Sequence, residues 1–117
     1  MFSPSQKLAI VVLDDDPAIT RFVQRFLEIV FLDSLNLQVF HSPILAKRWL
    51  EANPCDILLT DIDMPETSGI EMLKFAKNQN AWTQVIMLTG NSTFEKISQA
   101  MKSGASNYLL KQLNAKI

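Results

Sequence analysis

The sequence lacks several features that would place the chain in common structural and functional classes. Cys55 is its only cysteine, which excludes an internal disulfide and a cysteine-based zinc site. No apolar run approaches the roughly 20 residues that a membrane-spanning helix needs. The polar start of the chain, Met1 to Lys7, has no signal-peptide core. These absences predict a cytoplasmic protein without a membrane partner.

The chain also lacks an excess of charge of either sign. Eleven Lys and Arg residues stand against twelve Asp and Glu residues, so the formal net charge is −1. The basic residues are scattered along the sequence, which argues against direct nucleic acid binding by this segment. There is no glycine-rich P-loop, so a bound nucleotide is not indicated. The 117 residues, 48% of them hydrophobic, are enough for one globular domain.

Acidic side chains follow two short apolar runs. Asp14, Asp15 and Asp16 come directly after residues 8–13, and Asp61 ends the run that begins at residue 57. Each run is typical of a buried strand, and open parallel sheets bind ligands at the carboxyl ends of their strands. Carboxylates there would repel each other by roughly 4 kcal/mol per pair at about 4 Å and an effective dielectric near 20. A hard divalent ion, most simply Mg²⁺, would relieve this repulsion.

The rest of the chain alternates between helix and strand patterns. Asp16 and Pro17 are typical of a helix start. Apolar residues then recur at helical spacing: Ile19, Phe22, Val23, Phe26, Leu27 and Val30. Later strands are predicted over 37–40, 85–88 and 107–110, and later helices from Ser42-Pro43 to about Glu51, from Ile70 to about Asn78, and from Phe94 to Met101, with Gly104 as a left-handed stop. The alternation predicts βαβ units, a parallel sheet and helices on both faces.

Nearly every predicted strand ends in a side chain that can carry chemistry. Strands one and three end in the aspartates, strand four ends at Thr89 and strand five at Lys111. In a parallel sheet these groups converge on one rim, where carboxylates can hold a metal while a hydroxyl and an ammonium meet anionic oxygens. The pattern indicates a phosphate site in which one carboxylate could act as a nucleophile and form an acyl phosphate.

Four segments resemble the receiver domains of two-component signalling, the response-regulator family. They read VLDDDP at 12–17, LLTDIDMPETSG at 58–69, MLTG at 87–90 and GASNYLLK at 104–111. Their order and spacing make the resemblance specific, and it covers essentially the whole chain except the last helix. It implies a flavodoxin-like, doubly wound (βα)5 fold of the α/β class, with a five-stranded parallel sheet in the order 2-1-3-4-5 and most of the fifth helix absent from this chain.

The resemblance assigns roles to the acidic residues. Asp61 would be the phosphoacceptor, taking a phosphoryl group from a histidine kinase or a histidine phosphotransfer protein. Asp15 would bind Mg²⁺ directly, Asp14 through a water molecule, and Asp63 through its backbone carbonyl, with Mn²⁺ as an alternative ion. The domain would phosphorylate itself from a donor and slowly lose the phosphoryl group, without acting as a metabolic enzyme.

By the same resemblance, other residues at the rim would contact the phosphoryl group or respond to it. Thr89 and Lys111 would contact its oxygens, and Tyr108 would turn inward as Thr89 moves, which changes the surface around the fourth helix and fifth strand. Asp63 and Asn91 match positions that tune the lifetime of the phosphoryl group. An output domain or a downstream protein would recognise the changed surface.

The chain departs from the family in two places. Gln112 follows Lys111 where the family has proline after a cis bond, and a cis bond before another residue costs about 3–4 kcal/mol. Lys111 would then be placed less well. Only six residues, Gln112 to Ile117, follow Lys111 at the end of the fifth strand, so we expect the chain to be the N-terminal part of a longer protein. The apolar strand Tyr108 to Leu110 would face water, a partner or a swapped copy, which leaves a homodimer open.

Two other functions remain open on the sequence alone. A degenerate receiver would bind partners without being phosphorylated. The complete acidic set and Lys111 argue against it, whereas Gln112 and the short C-terminus leave it open. A hydrolase of the haloacid dehalogenase type is the third hypothesis, because Asp61-Ile62-Asp63 follows an apolar strand as the nucleophile motif of that family does. Met64-Pro65 departs from that motif, the chain has no room for a cap domain, and the motif usually lies on the first strand of that family. Among single residues, Asp16 is also explained as a helix cap and Tyr108 as a half-buried aromatic without a switching role.

Overall fold

The computed structural model describes residues 7–90 and 93–111, which form alternating strands and helices. The strands are β1 (Leu8–Leu13), β2 (Leu35–Phe40), β3 (Ile57–Asp61), β4 (Gln84–Thr89) and β5 (Asn107–Leu110). The helices are α1 (Pro17–Phe31), α2 (Pro43–Ala52), α3 (Gly69–Gln79) and α4 (Phe94–Lys102), with a short 3-10 turn over Leu32–Ser34. The predicted elements are all present, and β2 begins two residues earlier than predicted.

The five strands form one parallel sheet in the order β2-β1-β3-β4-β5. This confirms the predicted doubly wound, flavodoxin-like fold. β1 and β3 are neighbours, and Leu13 of β1 is in register with Thr60 of β3. Because the two strands run in the same direction, the residues that follow this pair, Asp14 and Asp61, are brought to the same edge of the sheet.

The helix boundaries follow from capping and from one glycine. A carboxylate oxygen of Asp16 accepts a hydrogen bond of 2.9 Å from the backbone N–H of Ala18, and Pro17 is the first residue of α1. Ser42 precedes α2 in the same way, but its side chain makes no capping hydrogen bond, so the predicted cap is wrong there although the boundary is right. Gly104 has a φ of +112° just after α4, which confirms the predicted stop.

Both faces of the sheet are buried, which explains why β1 is apolar throughout rather than alternating. Val11 and Leu13 pack on the face that α2, α3 and α4 cover, whereas Ile10 and Val12 pack on the face that α1 covers. All four side chains are at most 1% exposed. None of the helices within 7–90 and 93–111 combines the length and the apolar character needed to cross a bilayer.

The α1 face of the sheet remains partly open in the described part of the chain. Phe22, Phe26 and Val30, which the helical pattern placed toward the core, are 56%, 59% and 53% exposed. Phe22 and Phe26 border a groove of about 470 Å³ between α1 and β5, whose other wall includes Leu109 and Leu110. The exposure of β5 agrees with the expectation for its apolar residues. For α1, the spacing of apolar residues predicted the helix correctly. It predicted burial wrongly for three of the six apolar residues, Phe22, Phe26 and Val30.

Candidate functional site

Three carboxylates meet at the edge of the sheet where β1 and β3 end. Asp14 is fully buried, Asp61 is 5% exposed and Asp15 faces solvent. One carboxylate oxygen from each of the three lies within 4.8 Å of the other two. The structure therefore brings together three of the four aspartates that the sequence predicted to share this rim.

Backbone hydrogen bonds hold the acidic turn after β1 in place. The N–H of Asp14 donates to the carbonyl oxygen of Phe40 at the end of β2, at 3.2 Å. The Oδ1 of Asp14 accepts from the N–H of Asp16 at 2.9 Å. The side chain of Asp16 caps α1 and is not one of the three clustered carboxylates. Within the acidic triplet, Asp14 and Asp15 thus belong to the site and Asp16 to the helix.

Lys111 bridges the two buried carboxylates. Its Nζ lies 2.7 Å from Asp14 Oδ2 and 3.0 Å from Asp61 Oδ1, and its side chain is only 16% exposed. Its backbone N–H donates to the carbonyl oxygen of Thr89 at 2.9 Å, which continues the β4–β5 pairing into the site. Asp14 Oδ2 is buried and makes no hydrogen bond of good geometry. The positive charge of the Lys111 ammonium therefore compensates the negative charge of this oxygen. Lys111 is therefore part of the site rather than a surface lysine.

Burial and charge shift the protonation equilibria of this group. Burial raises the pKa of Asp61, and the charge of Asp14 adds to the rise, while the hydrogen bond from Lys111 opposes it. Burial also works to lower the pKa of Lys111, but the close contacts with the charged carboxylates of Asp14 and Asp61 outweigh it, so the pKa of Lys111 is raised. The ammonium form is thus favoured where it faces the two carboxylates.

The loop after β3 returns tightly to Asp61. The N–H of Asp63 donates to Asp61 Oδ1 at 3.2 Å, and the N–H of Gly69 donates to the carbonyl oxygen of Ile62 at 2.8 Å. A Cβ on Gly69 would lie 2.2 Å from the carbonyl oxygen of Asp61, which is far inside contact distance. A side chain at this position would displace the backbone that carries Asp61, so the loop requires glycine here.

The other predicted site residues lie around this centre. Thr89 is the last residue of β4 and is buried. Tyr108 is in register with Met87 on the neighbouring strand and is 41% exposed. Asn91 and Gln112 lie outside the described residues. The prediction about a cis or trans Lys111–Gln112 peptide bond therefore lies outside them as well. Thr89 and Tyr108 are thus on adjacent strands, as the predicted switch pair would require.

Sequence reasoning missed one charged residue beside the site. Lys96, in the first turn of α4, forms an ion pair of 2.6 Å with the carboxylate of Asp63. The two residues lie in different elements, and a lysine on an exposed helical turn carries no signal of its own in a single sequence. Only the packing of α4 beside the loop after β3 brings them together.

The donor atoms of the site suit a hard divalent cation. The carboxylate oxygens of Asp14, Asp15 and Asp61 are the ligand type that Mg²⁺ and Mn²⁺ prefer, and the cluster contains neither histidine nor cysteine. Asp14 Oδ2 is buried without a hydrogen bond of good geometry, and Asp15 is exposed, which gives an ion access from solvent. The residues present therefore fit such an ion.

Comparison with known proteins shows similarity to response regulators over most of the chain. Residues 10–116 match the family model described as the response regulator receiver domain. The response regulator protein PilR of Pseudomonas aeruginosa is 28% identical, and the match covers 89% of this chain and 23% of PilR. The transcriptional regulatory protein CpxR of Escherichia coli is 34% identical, and the match covers 90% of this chain and 43% of CpxR. The chain thus spans less than half the length of both relatives. The crystal structure of a CheY-like response regulator receiver domain protein from Methanospirillum hungatei matches with a TM-score of 0.83 at 25% identity, covering 93% of this chain and 85% of that one.

Proposed function

The chain belongs to the response regulator receiver domain family, and from this premise we propose that it is a phosphorylation-dependent signalling switch whose phosphoacceptor is Asp61. One observation carries the proposal: the ammonium of Lys111 lies within 3.0 Å of both Asp61 and Asp14 in a largely buried position. A cation held beside a carboxylate nucleophile can stabilise the negative charge of an arriving phosphoryl group.

The proposed reaction is the transfer of a phosphoryl group from a phosphohistidine to Asp61. Lys111 and the N–H of Asp63 both contact Oδ1 of Asp61, which orients the carboxylate and leaves Oδ2 as the attacking atom. The new bond joins Oδ2 to phosphorus, while the phosphorus–nitrogen bond of the donor breaks and its electron pair stays on the histidine nitrogen. The product is an acyl phosphate on Asp61.

Asp14, Asp15 and Asp61 would hold Mg²⁺, or Mn²⁺ in its place, together with the backbone carbonyl of Asp63. When bound, the ion would offset the charge of the carboxylates and of the transferred phosphoryl oxygens. The chain's own part is to keep these ligands close together before the donor arrives. The buried position of Asp14 and the Asp61–Lys111 contact both serve this purpose.

Phosphorylation would act on the rest of the molecule through charge. A phosphoryl group carries roughly −1.5 to −2 charge near neutral pH and three strong acceptor oxygens. We expect Thr89 to be drawn to these oxygens and Tyr108 to turn inward, which would bias a pre-existing equilibrium and change the face around α4 and β5. A histidine kinase or a histidine phosphotransfer protein would be the donor, and an output domain or a downstream protein the reader. A cytoplasmic location is part of the same proposal.

The other two functions have less support. A receiver that binds partners without phosphorylation would not need Lys111 buried between Asp14 and Asp61, and that geometry favours the phosphorylated switch. A hydrolase of the haloacid dehalogenase type loses its basis, because Asp61 lies on β3 and residues 10–116 match the receiver family.

Intact mass after treatment with acetyl phosphate at neutral pH tests the proposal directly. We expect a single phosphoryl adduct on the wild-type chain in the presence of Mg²⁺ and none in its absence. Asp61→Asn removes the nucleophilic oxygen while keeping the shape of the side chain, so this variant should give no adduct.

Asp16→Asn provides the matched control. It removes one carboxylate from the same acidic turn, but asparagine caps helices as well as aspartate does, and Asp16 is used as the cap of α1. The adduct should therefore form as in the wild type. A folded wild-type chain that gives no adduct would contradict the proposal and favour the unphosphorylated interaction module.

A further inference from the structure

The ion pair between Lys96 and Asp63 connects α4 to the loop that carries the acceptor. The Nζ of Lys96 lies 2.6 Å from Oδ1 of Asp63. The turn that presents Lys96 is itself fixed, because the hydroxyl of Thr93 accepts a hydrogen bond of 3.2 Å from the N–H of Lys96. Both members of the pair line a cleft of about 330 Å³ between α3 and α4, beside the loop after β3.

The position of Asp63 makes its charge relevant to the acceptor. Asp63 is two residues from Asp61, so their Cα atoms are at most about 7 Å apart, and its N–H donates to Asp61 Oδ1. The site already contains three carboxylates and one ammonium, Lys111. The carboxylate of Asp63 adds negative charge near the acceptor, and Lys96 reduces the repulsion that this charge exerts on an anionic phosphoryl donor. The Debye length at physiological salt is about 8 Å, so salt screens such a separation only in part.

We propose that Lys96 is a positioning residue of the phosphoacceptor site: by pairing with Asp63, it holds that carboxylate toward α4 and offsets its charge where a phosphoryl donor approaches Asp61. The inference rests on the proposed function and extends it to a residue outside the acidic set. The proposed role of Lys96 affects the rate of phosphorylation of Asp61 and not the free energy of unfolding. The side chains of Lys96 and Asp63 are 52% and 47% exposed, and ion pairs this exposed contribute little to stability.

The test is the rate at which the phosphoryl adduct accumulates with acetyl phosphate, at saturating Mg²⁺ and low ionic strength. Lys96→Gln keeps the charge of Asp63 without the lysine, so we expect a rate about threefold to tenfold lower than wild type. Asp63→Asn keeps the lysine without the carboxylate, and its rate should exceed the wild-type rate. The double variant removes both charges, so its rate should return to within about twofold of the wild-type rate. Lys96→Arg keeps both charges, so its rate should also lie within about twofold of the wild-type rate.

A purely structural pair predicts a different order. Both single variants would then be slower than wild type, the double variant would be no faster than either, and the melting temperatures would fall in parallel. That order, or equal rates in all variants, would overturn the inference. Lys102→Gln is the matched control, because it removes the same charge from the exposed last turn of α4 and should leave the rate unchanged.

Ionic strength gives a second readout. Raising the salt concentration should bring the rates of Lys96→Gln and Asp63→Asn together, because screening weakens the interaction that separates them. The two proposals also fail differently. No adduct on the folded wild-type chain refutes the phosphoacceptor and this inference with it, whereas a wild-type adduct with rates that are insensitive to Lys96 refutes the inference alone.

Discussion

Lys111 shows how much of the site depends on a single side chain. It comes from the far end of the described chain, yet its ammonium contacts the carboxylates at the ends of β1 and β3. Lys111 is also one of the residues that line the groove between α1 and β5. The apolar groove and the charged site are therefore adjacent, because both include Lys111.

Cys55 illustrates the opposite case, a reactive residue type with a structural position. It precedes β3, is 1% exposed, and its thiol donates to the carbonyl oxygen of Ile57 at 3.2 Å. Burial, with a smaller contribution from the charge of Asp56, raises the pKa of the Cys55 thiol to about 11. The thiolate is the reactive form. The structure therefore buries the thiol almost completely and keeps it in its unreactive form.

We therefore predict that Cys55 reacts very slowly with iodoacetamide in the native protein. With a pKa of about 11, roughly one thiol in a thousand is ionised at pH 8. Mass spectrometry should find the native chain unlabelled under conditions in which the urea-unfolded chain is fully labelled. Native labelling as fast as unfolded labelling would show that the thiol is exposed.

At the level of elements, the loop between β3 and α3 is shaped by a close backbone approach. Gly69 is the first residue of α3. A Cβ atom at this position would lie 2.2 Å from the carbonyl oxygen of Asp61. Alanine is normally favoured over glycine in a helix by about 1 kcal/mol. Here the contact is with backbone that cannot rotate away, so we expect the steric cost to exceed the gain in helix propensity.

Gly69→Ala should accordingly destabilise the domain by about 1–3 kcal/mol. For a domain of this size, the melting temperature should fall by several degrees, at roughly 4–8 °C per kcal/mol. Gly90→Ala is the matched control, because a Cβ at Gly90 would have its nearest neighbour, Lys111 Cδ, at an ordinary 3.6 Å. Its free energy of unfolding should change by less than about 0.5 kcal/mol. Equal melting temperatures for the two variants would contradict the steric argument.

Across the whole molecule, the charge distribution is uneven although the net charge is only −1. Within residues 7–90 and 93–111, three carboxylates are concentrated at one edge of the sheet, with the ammonium of Lys111 between two of them. Such a cluster lowers stability unless a cation compensates it. The folded chain should therefore gain stability from a cation that binds there, because the unfolded chain does not bring these carboxylates together.

We predict that Mg²⁺ raises the melting temperature of the wild-type chain. An ion at 100 times its dissociation constant adds about 2.7 kcal/mol, which corresponds to a rise of roughly 10 °C. Asp15→Asn removes one ligand and should reduce the rise strongly. Asp33→Asn, on the exposed turn Leu32–Ser34, removes the same charge away from the cluster and should keep the full rise. An equal rise in both variants would place the ion elsewhere.

Much of the fold and of the acidic cluster follows from local sequence patterns. Short apolar runs and the 3.6-residue helical repeat are properties of neighbouring residues, so the strands and helices could be predicted to within about two residues. Parallel connection then places every strand end at one edge, which brings Asp14, Asp61, Thr89 and Lys111 to the same rim. No knowledge of packing is needed for either step.

Other features depend on which elements touch, and a single sequence does not encode that locally. The helical stripe of α1 gave no indication that Phe22 and Phe26 would border an open groove, because burial depends on a neighbour and not on spacing. The contact of Gly69 with Asp61 and the pairing of Lys96 with Asp63 arise only when α3 and α4 pack beside the loop after β3. Distances between residues far apart in the chain are set by the sum of many packing contacts, and these exist only in the folded molecule.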